Sequence, residues 1–169
     1  MRHSTICEVC LRSRDVLCPA CEEKLNRGEI SKLELEVCRF LKSLEEKFKV
    51  LRNARIVKVF HSEKQIIIVT RSGDAPKVIG KNGSIAKLIS KEFGKPVKVI
   101  EECETVSEFA NNFVYPASVE GVNIVYGKDG RVSKYRIRIS RSQYRKIDVA
   151  LLEEAVKCVF GKEAESVIV

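Results

Sequence analysis

The sequence predicts an α+β protein in which a small cysteine-bearing module precedes two mixed helix–strand modules. Three observations carry this reading. Two Cys-x2-Cys pairs crowd the first 28 of the 169 residues. A capped amphipathic helix, two Ile/Val-rich runs and a glycine-punctuated pair of helical patterns follow. A second mixed block, holding a strongly basic run, closes the chain. The expected boundaries are residues 1–28, 29–103 and 104–169.

Hydrophobic residues are 44% of the chain, which supports packed cores and argues against global disorder. The net charge of +8 favours polyanionic partners. No apolar run approaches the roughly 20 residues of a membrane span. Met1-Arg2-His3-Ser4 leads into cysteines rather than an apolar signal core, so a cytoplasmic location with no membrane contact is expected. In a reducing compartment, seven cysteines point to metal binding or core filling rather than disulfides.

The first block is organised by Cys7-x2-Cys10-x7-Cys18-x2-Cys21. Each tight Cys-x2-Cys turn presents two thiolates to one ion, and two such turns complete a closed tetrahedral site. One structural zinc is predicted, with iron as the alternative the same ligand set accepts. Four thiolates leave no open position for a substrate. His3 is read as solvated, Cys38 as a core residue on a helical stripe, and Cys103 and Cys158 as isolated.

In the middle block, Ser31 and Glu34 form a capping box that opens a helix. Leu33, Val37, Phe40, Leu41, Leu44, Phe48 and Leu51 continue it as one apolar stripe to residue 51. Strands are expected at 55–60 and 65–70 around a polar turn at 61–64, then a short helix at 75–79. The loop Gly80-Lys81-Asn82-Gly83 separates that helix from another at 84–93, which Gly94 caps, and a strand at 96–101 closes the block. The last block reads as a helix at 106–113, strands at 117–125 and 135–139, a helix at 149–160 stopped by Gly161, and a strand at 166–169. Its loose similarity to the middle block suggests a divergent repeat.

Glycine is needed where a turn is too tight for a side chain or where backbone must approach a ligand closely. The amides that start the following helix can face phosphate oxygens. Ile79, Gly80, Lys81, Asn82 and Gly83, placed between two helices after two strands and before a third, resemble the phosphate-gripping loop of a type II K-homology (KH) domain. Residues 94–101, then Ser107-Glu108-Phe109-Ala110-Asn111-Asn112, then Tyr115-Pro116-Ala117, resemble the junction of the KH pair in NusA and in archaeal NusA-like proteins. The resemblance covers residues 31–169 and leaves the cysteine module outside. It implies single-stranded RNA as ligand, held by Gly80 to Gly83 with Lys81, Lys87 and Lys77 supplying charge. Ile79, Ile85, Ile68 and Val99 would line the groove. Ala86 stands where the family carries Ile or Val, which predicts a shallower groove floor. The last block has no Gly-x-x-Gly; Arg141-Ser142-Gln143-Tyr144-Arg145-Lys146 occupies the region, so the second module is a degenerate KH-like one.

Between residues 131 and 146 there are seven cations and no acid. On a strand, Lys134, Arg136 and Arg138 share one face and Tyr135, Ile137 and Ile139 the other. With Arg141 this cationic face is expected to extend the RNA path. The charged groups His61, Glu101, Glu102 and Glu104 read as solvated, and nothing in the sequence assembles a catalytic constellation, so no enzyme is expected. The resemblance implies an RNA-binding accessory factor in transcription elongation or termination, with RNA polymerase as partner. A ribosome-associated or RNA-processing and decay factor, or a zinc-mediated protein adaptor, remains open on the residues alone.

Overall fold

A computed structural model describes residues 1–13 and 15–169 and divides into two units, Met1–Glu102 and Cys103–Val169. The first unit holds four strands: β1 (Arg2–His3), β2 (Arg55–His61), β3 (Ile66–Thr70) and β4 (Val97–Glu101), in the sheet order β1-β2-β3-β4. The outer pairs β1–β2 and β3–β4 are parallel, while β2 and β3 form an antiparallel hairpin. Its helices are α1 (Glu8–Arg12), α2 (Pro19–Asn26), α3 (Lys32–Ser43), α4 (Ala75–Ile79) and α5 (Ser84–Phe93).

The capping box is formed. The Glu34 N–H donates to Ser31 Oγ at 3.0 Å, and the Ser31 N–H donates to Glu34 Oε2 at 3.2 Å. The stripe that follows buries Val37, Cys38 and Leu41 completely, against Ile66 and Ile68 of β3 and Ile85 and Ile89 of α5. Each large aliphatic side chain so buried contributes on the order of 1.5–3 kcal/mol. The helix ends at Ser43 rather than at residue 51. The Leu44 N–H is shared between the Phe40 and Leu41 carbonyls, and the chain returns as a 3₁₀ turn, Lys49–Asn53, that buries Leu51. Apolar spacings of three and four residues serve an α-helix and a 3₁₀ turn alike, which is why the stripe overran the helix.

Residues of the cysteine block join the same core: Ile6, Cys10, Leu11 and Cys21 cluster with the α3 and β3 side chains. His3 is buried, not solvated. Its Nδ1 accepts the Thr5 and Ile6 N–H groups at 3.0 and 3.1 Å, so the proton sits on Nε2, which donates to Glu34 Oε1 at 3.2 Å. Glu34 also takes the Val59 N–H at 3.0 Å and Lys58 Nζ at 2.9 Å. One fully buried carboxylate thereby joins β1, α3 and β2. Glu101, read as solvated, instead accepts the Ala75 N–H at 3.2 Å and so caps α4.

The second unit comprises α6 (Val106–Val114), β5 (Gly121–Tyr126), β6 (Val132–Ile139), α7 (Arg141–Tyr144), α8 (Val149–Phe160) and β7 (Glu163–Ile168). The sheet order is β5-β6-β7, with β6 antiparallel to β5 and parallel to β7. Phe109, Ile137, Ile139 and Leu152 are its largest fully buried side chains, and the Phe109 and Phe160 rings meet edge-on at 5.6 Å. All three expected strands have different bounds, β6 beginning at Val132 rather than at residue 135. The 117–125 run pairs only from Gly121 onward, because the Val119 N–H is taken by Asn111 Oδ1 at 3.1 Å and the first ladder bond beyond it is Glu120 N–H to the Arg138 carbonyl. The terminal strand starts at Glu163, three residues early, because Glu163 and Glu165 sit in register with Lys134 and Arg136.

The element order α3-β2-β3-α4-α5-β4 recurs as α6-β5-β6-α7-α8-β7. In both copies a hairpin is followed by a short helix and a long one. A glycine in the left-handed region ends the long helix, Gly94 at φ +64° and Gly161 at φ +69°, and a strand then lies parallel to the second hairpin strand. The repeat suggested by the sequence is present as topology.

Candidate metal centre and nucleic-acid interface

The four N-terminal cysteines converge. Their sulfur atoms all lie within 4.8 Å of one another. The two halves are built alike. Cys7 is the N-cap of α1 with φ −71° and ψ 155°, and Cys18 the N-cap of α2 with φ −70° and ψ 154°. Cys10 and Cys21 each stand three residues on, at N3, so each helix start presents one thiol from its cap and one from its first turn. Pro19 at N1 fixes the second start. A tetrahedral ion with metal–sulfur bonds of about 2.3 Å needs sulfurs about 3.8 Å apart, and Cys7 Sγ and Cys18 Sγ are 3.8 Å apart. The Cys18 N–H donates to Cys10 Sγ at 3.1 Å, as a thiolate ligand requires of its surroundings. Burial pushes the Cys10 thiol up to about 12, while a backbone hydrogen bond from Cys21 holds Cys18 down to about 7. The cluster is compatible with a metal site. Arg39 of α3 fastens its frame, donating from Nε to the Cys10 carbonyl at 3.0 Å.

The Gly80-Lys81-Asn82-Gly83 loop joins α4 to α5. Gly80 takes φ +75° and ψ 170°, a region open essentially to glycine. A Cβ there would stand 2.8 Å from Ile85 Cγ1 and from Ser84 Oγ. Asn82 and Gly83 follow in the left-handed region, at φ +54° and +73°. Lys81 and Asn82 are exposed at the tip, and the exposed Lys87 runs its stem 3.8 Å from where a Gly83 Cβ would be. Lys81 and Lys87 make no ion pair among the described residues. Lys77 is turned inward, 2.5 Å from Asp74 Oδ1 and 3.3 Å from the Asn53 carbonyl. Of the expected groove positions, Ile79 and Val99 are half-buried, whereas Ile68 and Ile85 are fully buried beneath them. Ala86 is half-buried.

On β6 the predicted alternation holds. Ile137 and Ile139 are fully buried, and Lys134, Arg136 and Arg138 share the opposite face. The acids missing from the basic run arrive from β7 and from the residue just before β5. Lys134 pairs with Glu165, Arg136 Nη2 lies 3.8 Å from the same carboxylate, and Arg138 Nη2 lies 3.9 Å from Glu120. β6 is the central strand of its sheet, not an edge. The structure therefore brings together Gly80, Lys81, Asn82, Gly83 and Lys87 in one place, and Lys134, Arg136 and Arg138 in another, partly neutralised one. Arg141 stands on α7, exposed and outside any ion pair among the described residues. No helix of the described residues is long and apolar enough to cross a membrane.

No protein-family model matches the chain. Over 99 residues it is 27% identical to the probable transcription termination protein NusA of Methanococcus vannielii, covering 59% of this chain and 50% of that protein. The chain thus spans about half the length of that relative. The relationship to an archaeal NusA-like protein is distant. The fold is shared with APE1850, whose crystal structure covers 83% of this chain and 100% of its own at a TM-score of 0.58 and 19% identity. That second likeness is one of fold alone.

Proposed function

We propose that the chain is an RNA-binding accessory protein of NusA-like type, acting in transcription elongation or termination, and that it grips single-stranded RNA with a KH loop. The single observation that carries the proposal is the Gly80-Lys81-Asn82-Gly83 turn. Its backbone conformation admits no side chain at Gly80, its tip is exposed, and Lys81 within it and Lys87 beside it make no ion pair among the described residues. Phosphates approaching such a turn meet backbone amides and mobile ammonium groups at once. The distant relationship to a protein named for transcription termination supports the choice of process. Structural zinc in the four-cysteine cluster completes the reading, since a closed thiolate set holds zinc without offering it to substrate. The protein is proposed to be a binder and not an enzyme, with RNA polymerase as the complex it serves.

The test is the double substitution Lys81→Asp, Asn82→Asp. Both side chains are exposed, so the fold should persist, as circular dichroism will report. Two anions set against phosphates should lower single-stranded RNA affinity by at least tenfold at matched salt, a change of about 1.4 kcal/mol. Duplex RNA should be affected less, because a KH groove reads unstacked bases. Equal affinity in a folded variant would reduce the loop to a turn.

A further inference from the structure

The repeat gives the Gly80 loop a counterpart. In the first unit four residues, Gly80-Lys81-Asn82-Gly83, separate α4 from α5; in the second, four residues, Arg145-Lys146-Ile147-Asp148, separate α7 from α8. Lys146 holds the position of Lys81. The glycines are gone, and no residue of this turn has positive φ. Buried Ile147 and Asp148, which caps α8 by accepting the Leu151 N–H at 3.3 Å, close it instead. Close backbone approach to a phosphate is therefore lost here, and whatever this turn recognises it recognises with side chains.

Those side chains have a specific arrangement. Arg141, Tyr144 and Arg145 are spaced i, i+3, i+4 on helical backbone, so they share one face. Gln143 and Ile147 occupy the opposite, inward face, half-buried and buried. Arg141, Arg145 and Lys146 are exposed, and none lies within ion-pairing distance of a carboxylate among the described residues. This separates them from the β6 cations, each of which has an acid within 4 Å. Asp148, the nearest acid in sequence, is committed to its cap. Tyr144, 37% exposed, stands between the cations. The Arg141 N–H donates to the main-chain oxygen of Val169 at 3.3 Å, and within the turn the Ile147 N–H donates to the Tyr144 carbonyl at 3.2 Å.

We infer that this turn is a second single-stranded RNA contact, in which Tyr144 stacks on one base while Arg141, Arg145 and Lys146 take the flanking phosphates. A ring between free cations is the pairing that single-stranded nucleic acid uses, since every base offers a π-face and every nucleotide a charge. A membrane surface would want several exposed aliphatic residues, and the turn offers none. The inference takes from the proposed function only that single-stranded RNA is the ligand.

The experiment titrates the full chain with a labelled, unstructured RNA of about 15 nucleotides, enough for a few contact sites, over a series of salt concentrations. Arg141→Gln, Arg145→Gln, Lys146→Gln together should weaken binding and lower the log–log salt slope by about 2, at roughly 0.7 per phosphate contact. Tyr144→Leu should weaken binding about tenfold with the slope unchanged, and Tyr144→Phe should restore it, because the ring and not the hydroxyl does the stacking. Thermal melts confirm folding of each variant. An unchanged slope in the triple variant overturns the inference. So does a silent Tyr144→Leu, which would leave a plain polyanion sink, or loss of a copurifying protein with RNA binding intact. The same series in the Lys81→Asp, Asn82→Asp background keeps the two readings apart. Binding lost by the loop variant alone leaves the proposed function standing without this contact. Binding lost by the turn variants alone does the reverse.

Discussion

Gly80 and Gly83 look equivalent in the sequence and are not equivalent in space. Gly80 combines a conformation closed to other residues with a Cβ position already filled by Ile85 and Ser84, while a Cβ on Gly83 meets only the flexible end of Lys87. Gly80→Ala should therefore cost on the order of 1–3 kcal/mol. Gly83→Ala, which strains the backbone without a clash, should cost about 1–2 kcal/mol. Chemical denaturation of the two variants checks the order, and RNA affinity should fall further for Gly80→Ala because Ile85 must shift. Glu34 is the other residue whose weight exceeds its sequence signal. Burial alone would raise its pKa, but His3 and Lys58 outweigh burial and hold the carboxyl below the usual carboxylate range. A depressed folded value means the stabilisation is fully present above the unfolded pKa and is lost as pH falls through the folded one. Wild type should accordingly lose melting temperature on acidification below about pH 4.5 more steeply than Glu34→Gln. At neutral pH, Glu34→Ala should cost about 3–5 kcal/mol, since it strands Lys58, the buried Val59 N–H and the part-buried Ser31 N–H.

At the scale of elements, what was legible followed rules that act within a few residues. The bounds of α4, the loop and α5 came out as read, because glycine punctuation and helical spacing are local. The beginning of β5 did not, because a side chain on α6 removes the Val119 amide from the ladder, and no pattern inside 117–125 records that. The acids opposite β6 were invisible for the same reason: they lie in register on β7 and just before β5, not in the basic run. The candidate loop site was thus readable from sequence, whereas the electrostatics of the candidate strand site were not. The two cysteine half-sites show local and distant constraint together. Paired spacing announces the ligands, but the way Cys10 and Cys21 enter the core of α3 and β3 does not appear in the spacing. Anaerobically purified protein should contain one zinc per chain by elemental analysis. Chelation should do more than unravel a detached knuckle. It should lower the melting temperature of the whole first unit, because Ile6, Cys10, Leu11 and Cys21 belong to its core. Hydrogen exchange should show the Thr5 and Ile6 amides, which His3 holds, opening early.

For the whole molecule, the net charge of +8 sets the scale of salt-dependent association, but placement decides which cations count. Arg136 and Arg138 have acids within 4 Å. Replacing both with Ala should flatten the salt dependence of RNA binding by no more than about 1.4, the full share of two single-strand contacts. A null slope change would make the β6 face a neutralised surface. The equal length of the two interhelical turns has a consequence of another kind. Because four residues join the helices in each unit, the two turns align residue for residue, although their backbones differ: the first passes through positive φ at Gly80, Asn82 and Gly83 and the second at no residue. The two turns differ by substitutions alone, with no insertion or deletion between them. A transplant of Gly-Lys-Asn-Gly into positions 145–148 would give up the Ile147 anchor and the Asp148 cap. What separates the two units at this position is thus a glycine-only backbone in one and a buried side chain with a helix cap in the other.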